Sequence, residues 1–175
     1  GTGGTSATIG RHLRYQQHAT RLCVADPEGS VFCAYHRSGD ATLTAPGSRI
    51  EGIGRPRVEP SFIPTVVDRM VEVPDADSLA AMHALTGLLG RRVGPSTGTN
   101  LVAMLALAQE MKVYGERGSI LSLLCDSGER YRQTYFDASW AQNRFGDISA
   151  AQARLDAQLA SDSGPQDAPT DPTRE

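Results

Sequence analysis

Three short segments carry residue types whose spacing can do chemistry. The first, Gly1-Thr2-Gly3-Gly4-Thr5, runs straight into a helical pattern. A phosphate dianion needs several N–H donors converging on one point, and the first turn of a helix supplies them with a favourable dipole. Glycines let the backbone approach closely, and the threonine hydroxyls add donors. No Gly-Lys-Ser/Thr follows, so this is no P-loop. Ser6 stands where a dinucleotide fingerprint needs its third glycine. An ordinary Gly-rich turn before a helix is the plain alternative.

The second segment is Val93-Gly94-Pro95-Ser96-Thr97-Gly98-Thr99-Asn100, at an expected strand-to-helix junction. Ligands of open α/β sheets sit at such junctions, beyond the carboxyl ends of strands. Ser96 is either a ligand contact or a plain helix N-cap. The third, Cys125-Asp126-Ser127-Gly128-Glu129-Arg130-Tyr131, again follows an expected buried strand. Three strand ends with small polar residues point to one shared crevice.

Other chemistry is thinly represented. His12, His18, His36 and His83 lack metal-ligand spacing, so no metal is expected. Ser127-Gly128 lacks the GxSxG frame of a hydrolase elbow. Cys23, Cys33 and Cys125 form no CxxC, which suits reduced thiols in a cytoplasmic protein. Tyr131, Tyr135 and Phe136 fall at helical spacing and read as packing.

The elements that must position these segments follow from periodicity. Ser6 to about His18 is helical, with Ile9 and Leu13 on one face. Arg21 to Ala25 and Ser30 to Tyr35 are apolar runs expected as buried strands. Arg37 to Pro64, rich in Gly and Pro, is a long loop. Met70 to Val73 is expected as a strand. A helix from Asp75 follows, with Leu79, Met82, Leu85 and Leu89 on one stripe and Gly90 as its cap. Arg92-Val93 makes a short strand. The next helix sends Leu101, Met104, Leu105, Ala108 and Met111 to a core. Ser119 to Cys125 reads as a continuous apolar strand, and Glu129 to about Phe136 as a helix. Alternating strands and helices imply an α/β fold with a mostly parallel sheet.

The totals agree with one domain or one lobe of a larger protein: 175 residues, 39% hydrophobic. No run reaches membrane-span length and no signal peptide opens the chain. The sequence opens without Met, inside a glycine-rich motif, so a truncated sequence is expected. Four acidic residues (Asp162, Asp167, Asp171, Glu175) and one basic one (Arg174) lie from Ser161 onward, so the formal charge of −3 resides there. The neutral body, without a Lys/Arg cluster, argues against nucleic acid as a partner.

Taken in order, GTGGT (Gly1–Thr5), EGIG (Glu51–Gly54), FIPTVVDR (Phe62–Arg69), VGPSTG (Val93–Gly98) and CDSGERY (Cys125–Tyr131) resemble the cysteine synthase and cystathionine β-synthase family of pyridoxal-phosphate enzymes, fold type II. The RPRVEPSF stretch and VGPSTGTN are most similar to its cysteine desulfhydrase-like branch. The resemblance implies an α/β fold, a three-layer open sheet with flanking helices. This is the larger lobe of a tryptophan synthase β-subunit-like fold, incomplete at its N-terminus. The expected division is a cofactor-binding lobe over 1–146, a C-terminal helix over 147–160 and a disordered acidic tail over 161–175. Pyridoxal 5'-phosphate is the implied cofactor, with Gly1, Thr2, Gly3, Gly4 and Thr5 on its phosphate and Ser96 on its pyridine nitrogen. Gly52, Ile53, Gly54 and Asp126 would form the substrate rim, the Asp126 turn lying near the ring.

The implied activity is β-elimination or β-replacement on cysteine or O-activated serine, in a cytoplasmic homodimer acting on a small amino acid. The family's Schiff-base lysine lies upstream of GTGGT, and the only lysine here is Lys112. No catalytic residue is therefore expected within this chain, and it should be inactive alone. A non-catalytic fragment or pseudoenzyme that binds phosphate ligands or a partner is the alternative. The Arg55–Ser61 insertion is longer than usual for the family. Its Arg55 and Arg57 either guard the entrance, binding a substrate carboxylate, or are solvated charges. Cys125 stands where a proline is common and is expected as a buried, inert thiol.

Overall fold

The computed structural model describes residues 1–162. Helix α1 (Gly4–Tyr15) is followed by strand β1 (Cys23–Pro27), helix α2 (Phe32–Ser38) and a long loop. Strand β2 (Arg69–Val73) then leads into α3 (Asp75–Leu89) and α4 (Pro95–Val113). Helices α5 (Ala138–Phe145) and α6 (Ser149–Asp162) close the described chain. The strands pair in parallel from Cys23↔Arg69 to Pro27↔Val73. The fold is α/β, with parallel strands flanked by helices.

Helices α3 and α4 form its centre. Pro95, placed just inside the start of α4, sharpens the break after the α3 cap Gly90, whose φ is 63°. Leu79, Ala80, Ala81 and Met82 are all fully buried, so α3 is apolar well beyond one stripe. Each such Leu or Met contributes about 1.5–3 kcal/mol by leaving water. The helices cross at Gly98, where any Cβ would overlap the Ser78 carbonyl. A buried bond from Thr99 Oγ1 to Ser78 Oγ, at 2.9 Å, adds direction to the contact. Helix α6 lays Ala151 and Leu155 on the same cluster and joins α3 through Arg154–Asp77 at 2.6 Å.

Four expectations change. Ser30 to Tyr35 is not a strand: α2 begins at Phe32, because the buried Asp26 carboxylate accepts the Cys33 N–H at 2.9 Å. That carboxylate serves the first turn of α2 from the end of β1, and a short apolar run leaves helix and strand open. Arg92-Val93 contributes one bridge, Val93↔Ser127, rather than a strand. The helix expected from Glu129 is one 3-10 turn, Gly128–Tyr131. Ser119 to Cys125 is neither strand nor buried; Leu121, Leu123 and Leu124 are 97%, 52% and 51% exposed. Leucines gain burial only from a surface laid against them, and nothing among the described residues covers these. In the acidic tail expected over 161–175, Ser161 and Asp162 close α6, and 163–175 lie outside the described residues.

The exposed leucines make a prediction. Leu121→Lys in the 175-residue chain should leave the melting temperature nearly unchanged, within about 0.5 kcal/mol of stability. It should also lower aggregation, read by light scattering. A large drop in melting temperature would mean that Leu121 is buried after all.

Candidate functional site

The glycine-rich turn is held by FIPTVVD. Gly3 precedes α1 with φ 91°, and a Cβ there would lie 2.6 Å from Phe62 Cβ, so the close approach admits only glycine. Gly10 meets Val66 just as closely. Ser61 Oγ donates to the Thr2 carbonyl at 2.8 Å. Two of the sequence motifs are thus one packed unit, seated on stacked Phe32 and Phe62 rings 4.5 Å apart.

That unit fits a phosphate. No side chain caps α1, and its first turn holds no acidic residue, so the N–H groups there keep their positive end. Ser6 and Thr8 hydroxyls turn back to the Gly3 and Gly4 carbonyls, at 2.9 and 2.8 Å. Among the described residues Thr2 and Thr5 make no such side-chain bond, which leaves their hydroxyls as donors.

The Gly52–Gly54 loop lies alongside. Gly52 and Gly54 have φ of 87° and 72°. A Cβ on Gly1 would lie 3.4 Å from the Gly52 carbonyl oxygen. Gly1 also lies within the electrostatic reach of Arg55, Asp26 and Cys125. Arg55 is fixed through its backbone, whose N–H donates to Ser30 Oγ at 3.2 Å and whose carbonyl accepts from Val31 N–H at 2.9 Å. Its side chain is half-exposed and pairs with Glu59 at 3.7 Å. Arg57 is exposed and bridges Thr44.

The segments 93–98 and 125–131 are knitted to each other. Thr97 Oγ1 accepts the Cys125 N–H at 3.0 Å, and Gly94 N–H donates to the Asp126 carbonyl at 3.0 Å. A side chain on Gly94 would overlap the Asp126 carboxylate. Tyr131 OH donates to Asp126 Oδ2 at 2.6 Å; burial and that carboxylate push the phenol pKa well up. Asp126 is therefore engaged by Tyr131 and, at 3.7 Å, by Arg130.

Ser96 is not the N-cap. Gly94 holds that position, and Ser96 sits within the first turn of α4, 6% exposed. Among the described residues its hydroxyl has no hydrogen-bond partner, whereas neighbouring Thr97 and Thr99 are both engaged. A neutral, solvent-reachable hydroxyl without a protein partner, on an otherwise buried residue, suits one uncharged acceptor, such as a pyridine nitrogen.

The structure sets Gly1 beside Gly52, and separately joins Cys125 to Thr97 and Asp126 to Gly94. No hydrogen bond among the described residues joins Gly1–Thr5 to Ser96. Cys125 itself is exposed, correcting the buried thiol expected. Asp26 was missed because nothing in Ala25-Asp26-Pro27 distinguishes a buried carboxylate from a turn. Burial raises its pKa against the bonds from Ser30 and Cys33. The inert thiol is Cys33, pushed up to about 12 by burial and by Asp26. Among the described residues no group of three or more His, Cys, Asp or Glu is placed to hold a metal.

Comparison with known proteins converges on one family. The family model described as pyridoxal-phosphate dependent enzyme matches residues 1–126. An L-cysteine desulfhydrase of Mycobacterium tuberculosis is 57% identical over 156 residues, covering 89% of this chain and 42% of that protein. Cysteine synthase 1 of Emericella nidulans is 30% identical over 148 residues, covering 82% and 39%. Among solved structures, the O-acetylserine dependent cystathionine β-synthase from Helicobacter pylori superposes with a TM-score of 0.63 at 30% identity, covering 77% of this chain and 40% of that one. The chain thus spans about two fifths of the length of these relatives.

Proposed function

We propose that this chain, which belongs to the pyridoxal-phosphate dependent enzyme family, supplies the phosphate cradle and pyridine-nitrogen contact of an enzyme eliminating hydrogen sulfide from cysteine. With water the products are pyruvate and ammonia. Pyridoxal phosphate, when bound, supplies the electron sink that stabilises negative charge at the substrate α-carbon and so lets the β-substituent leave.

The chain's own residues have distinct tasks. The first-turn N–H groups of α1, with Thr2 and Thr5, bind the phosphate dianion. Ser96 donates a hydrogen bond to the pyridine nitrogen and, being neutral, leaves that nitrogen unprotonated. An aspartate there would protonate it and favour transamination. The Gly52-Ile53-Gly54 backbone borders the amino-acid substrate, and Asp126 holds the neighbouring turn in place. The family's amine is supplied by residues outside these 175, since Lys112 lies at the far end of α4.

The unpartnered Ser96 hydroxyl carries this reading, and the 57% identical desulfhydrase favours sulfide release over its capture. β-Replacement, as in the synthases, needs the same residues and differs in the nucleophile admitted. The intact enzyme is proposed to be a cytoplasmic homodimer, as the family resemblance implies; among the described residues no helix is long and apolar enough to cross a membrane.

Ser96→Ala tests the assignment in a full-length protein containing this chain. Losing one positioned donor should slow pyruvate release from cysteine roughly 10–100-fold, toward the lower range of oxyanion-donor deletions. Stability should fall by under about 1 kcal/mol, because the hydroxyl bonds nothing in the fold. Full activity in the variant would remove Ser96 from the site. Cysteine formation from O-acetylserine and sulfide, without pyruvate release, would identify a synthase.

A further inference from the structure

We propose that Tyr135 is a positioning residue that sets the Gly52–Gly54 rim against the phosphate-binding turn, a role that rests on the reading of the site above. Its phenol oxygen accepts the Glu51 N–H at 2.8 Å and donates to the Arg49 carbonyl, also at 2.8 Å. These bonds bracket Ile50, a core residue 1% exposed. Residues 49–51 are thereby pinned immediately before the two left-handed glycines of the rim.

The ring cannot move to release them. Tyr135 is 3% exposed and lies between Tyr131, Trp140 and Phe145, with centroids 5.3, 5.0 and 5.7 Å away. From the opposite side Arg49 Nε donates to the buried Asp75 at 2.6 Å, anchoring the segment to the start of α3. The Gly52 carbonyl oxygen lies beside Gly1, 3.4 Å from where a Cβ on that glycine would sit. The spacing between rim and cradle is therefore governed by where Glu51 is held.

A buried hydroxyl is costly unless bonded. Tyr135 directs both of its bonds to the rim segment, 84 and 86 residues away in sequence. Phenylalanine would keep the packing and leave the Glu51 N–H and Arg49 carbonyl unpaired. The rim would then drift from the cradle, weakening substrate binding while the phosphate contacts stay intact.

Tyr135→Phe in the full-length holoenzyme tests this. KM for cysteine should rise at least tenfold and kcat fall less than threefold, with pyridoxal phosphate retained through gel filtration. In the 175-residue chain, amide hydrogen exchange of peptides covering 49–54 should accelerate at least tenfold. Faster exchange with an unchanged KM would reduce Tyr135 to a staple of the fold, and unchanged exchange would remove the clamp itself. If Tyr135→Phe does not fold, Phe145→Leu loosens the ring's seat and should raise KM by a smaller factor; an unchanged KM there overturns the role. A wild-type protein without cofactor or turnover would sink the parent reading instead, while the exchange arm still decides the clamp.

Discussion

Gly4→Asp in the full-length protein is expected to lose its pyridoxal phosphate and keep its fold. Gly4 is the first residue of α1, and a Cβ there meets only Thr2 Oγ1, at 3.9 Å. Gly4 is absent from the positive-φ glycines, so an L side chain introduces no backbone strain. An acidic residue in the first turn also favours the helix dipole, by roughly 0.3–1 kcal/mol. The same carboxylate would face the phosphate dianion of the proposed site. Like charges about 4 Å apart repel by about 1–4 kcal/mol, between bulk water and a protein surface. At about 1.4 kcal/mol per factor of ten, cofactor affinity should fall about 5- to 700-fold. Gly3→Asp is a poorer test, since it would collide with Phe62 and unfold the turn whatever binds there. A Gly4→Asp protein that keeps its cofactor through gel filtration, with an unchanged melting temperature, would remove Gly1–Thr5 from the site.

The 175-residue chain by itself is expected to form no covalent adduct with pyridoxal phosphate and to turn over no cysteine. Its only lysine, Lys112, is in the last turn of α4, which runs unbroken from Pro95. Sixteen residues separate it from Ser96. At 1.5 Å per residue this places its backbone about 24 Å away along the helix. A lysine side chain spans a fraction of that distance. Last-turn placement complements the helix dipole, a sufficient role for this lysine. Borohydride reduction and peptide mass mapping check the point. A stoichiometric pyridoxyl group on Lys112, with turnover, would show that the active site has been misplaced.

Elements with two local signals were legible. The α3 stripe closes at Gly90 and α4 opens at Pro95, so both helices could be placed from Leu79 to Leu105 without tertiary information. Met70 to Val73 falls within β2. Single-signal segments misled. Ser30 to Tyr35 became helical because Asp26 accepts the Cys33 N–H, a contact no apolar run announces. Ser119 to Cys125 has the composition of a buried strand and none of the burial, since composition cannot say what lies beside it.

The site divides the same way. Sequence by itself determined which residues are candidates for the chemistry: a turn of glycines and hydroxyls, a neutral serine in the first turn of a helix, and the absence of a nearby amine. Those follow from residue type and short spacing, which local backbone geometry preserves. Only the tertiary structure decided that Gly94 rather than Ser96 caps α4, leaving the serine hydroxyl uncommitted. Only it placed Phe62 against Gly3 and the Tyr135 hydroxyl between Arg49 and Glu51. These contacts join residues 59 to 86 positions apart. Pairings at such separations depend on how whole elements pack, and local pattern carries no record of that.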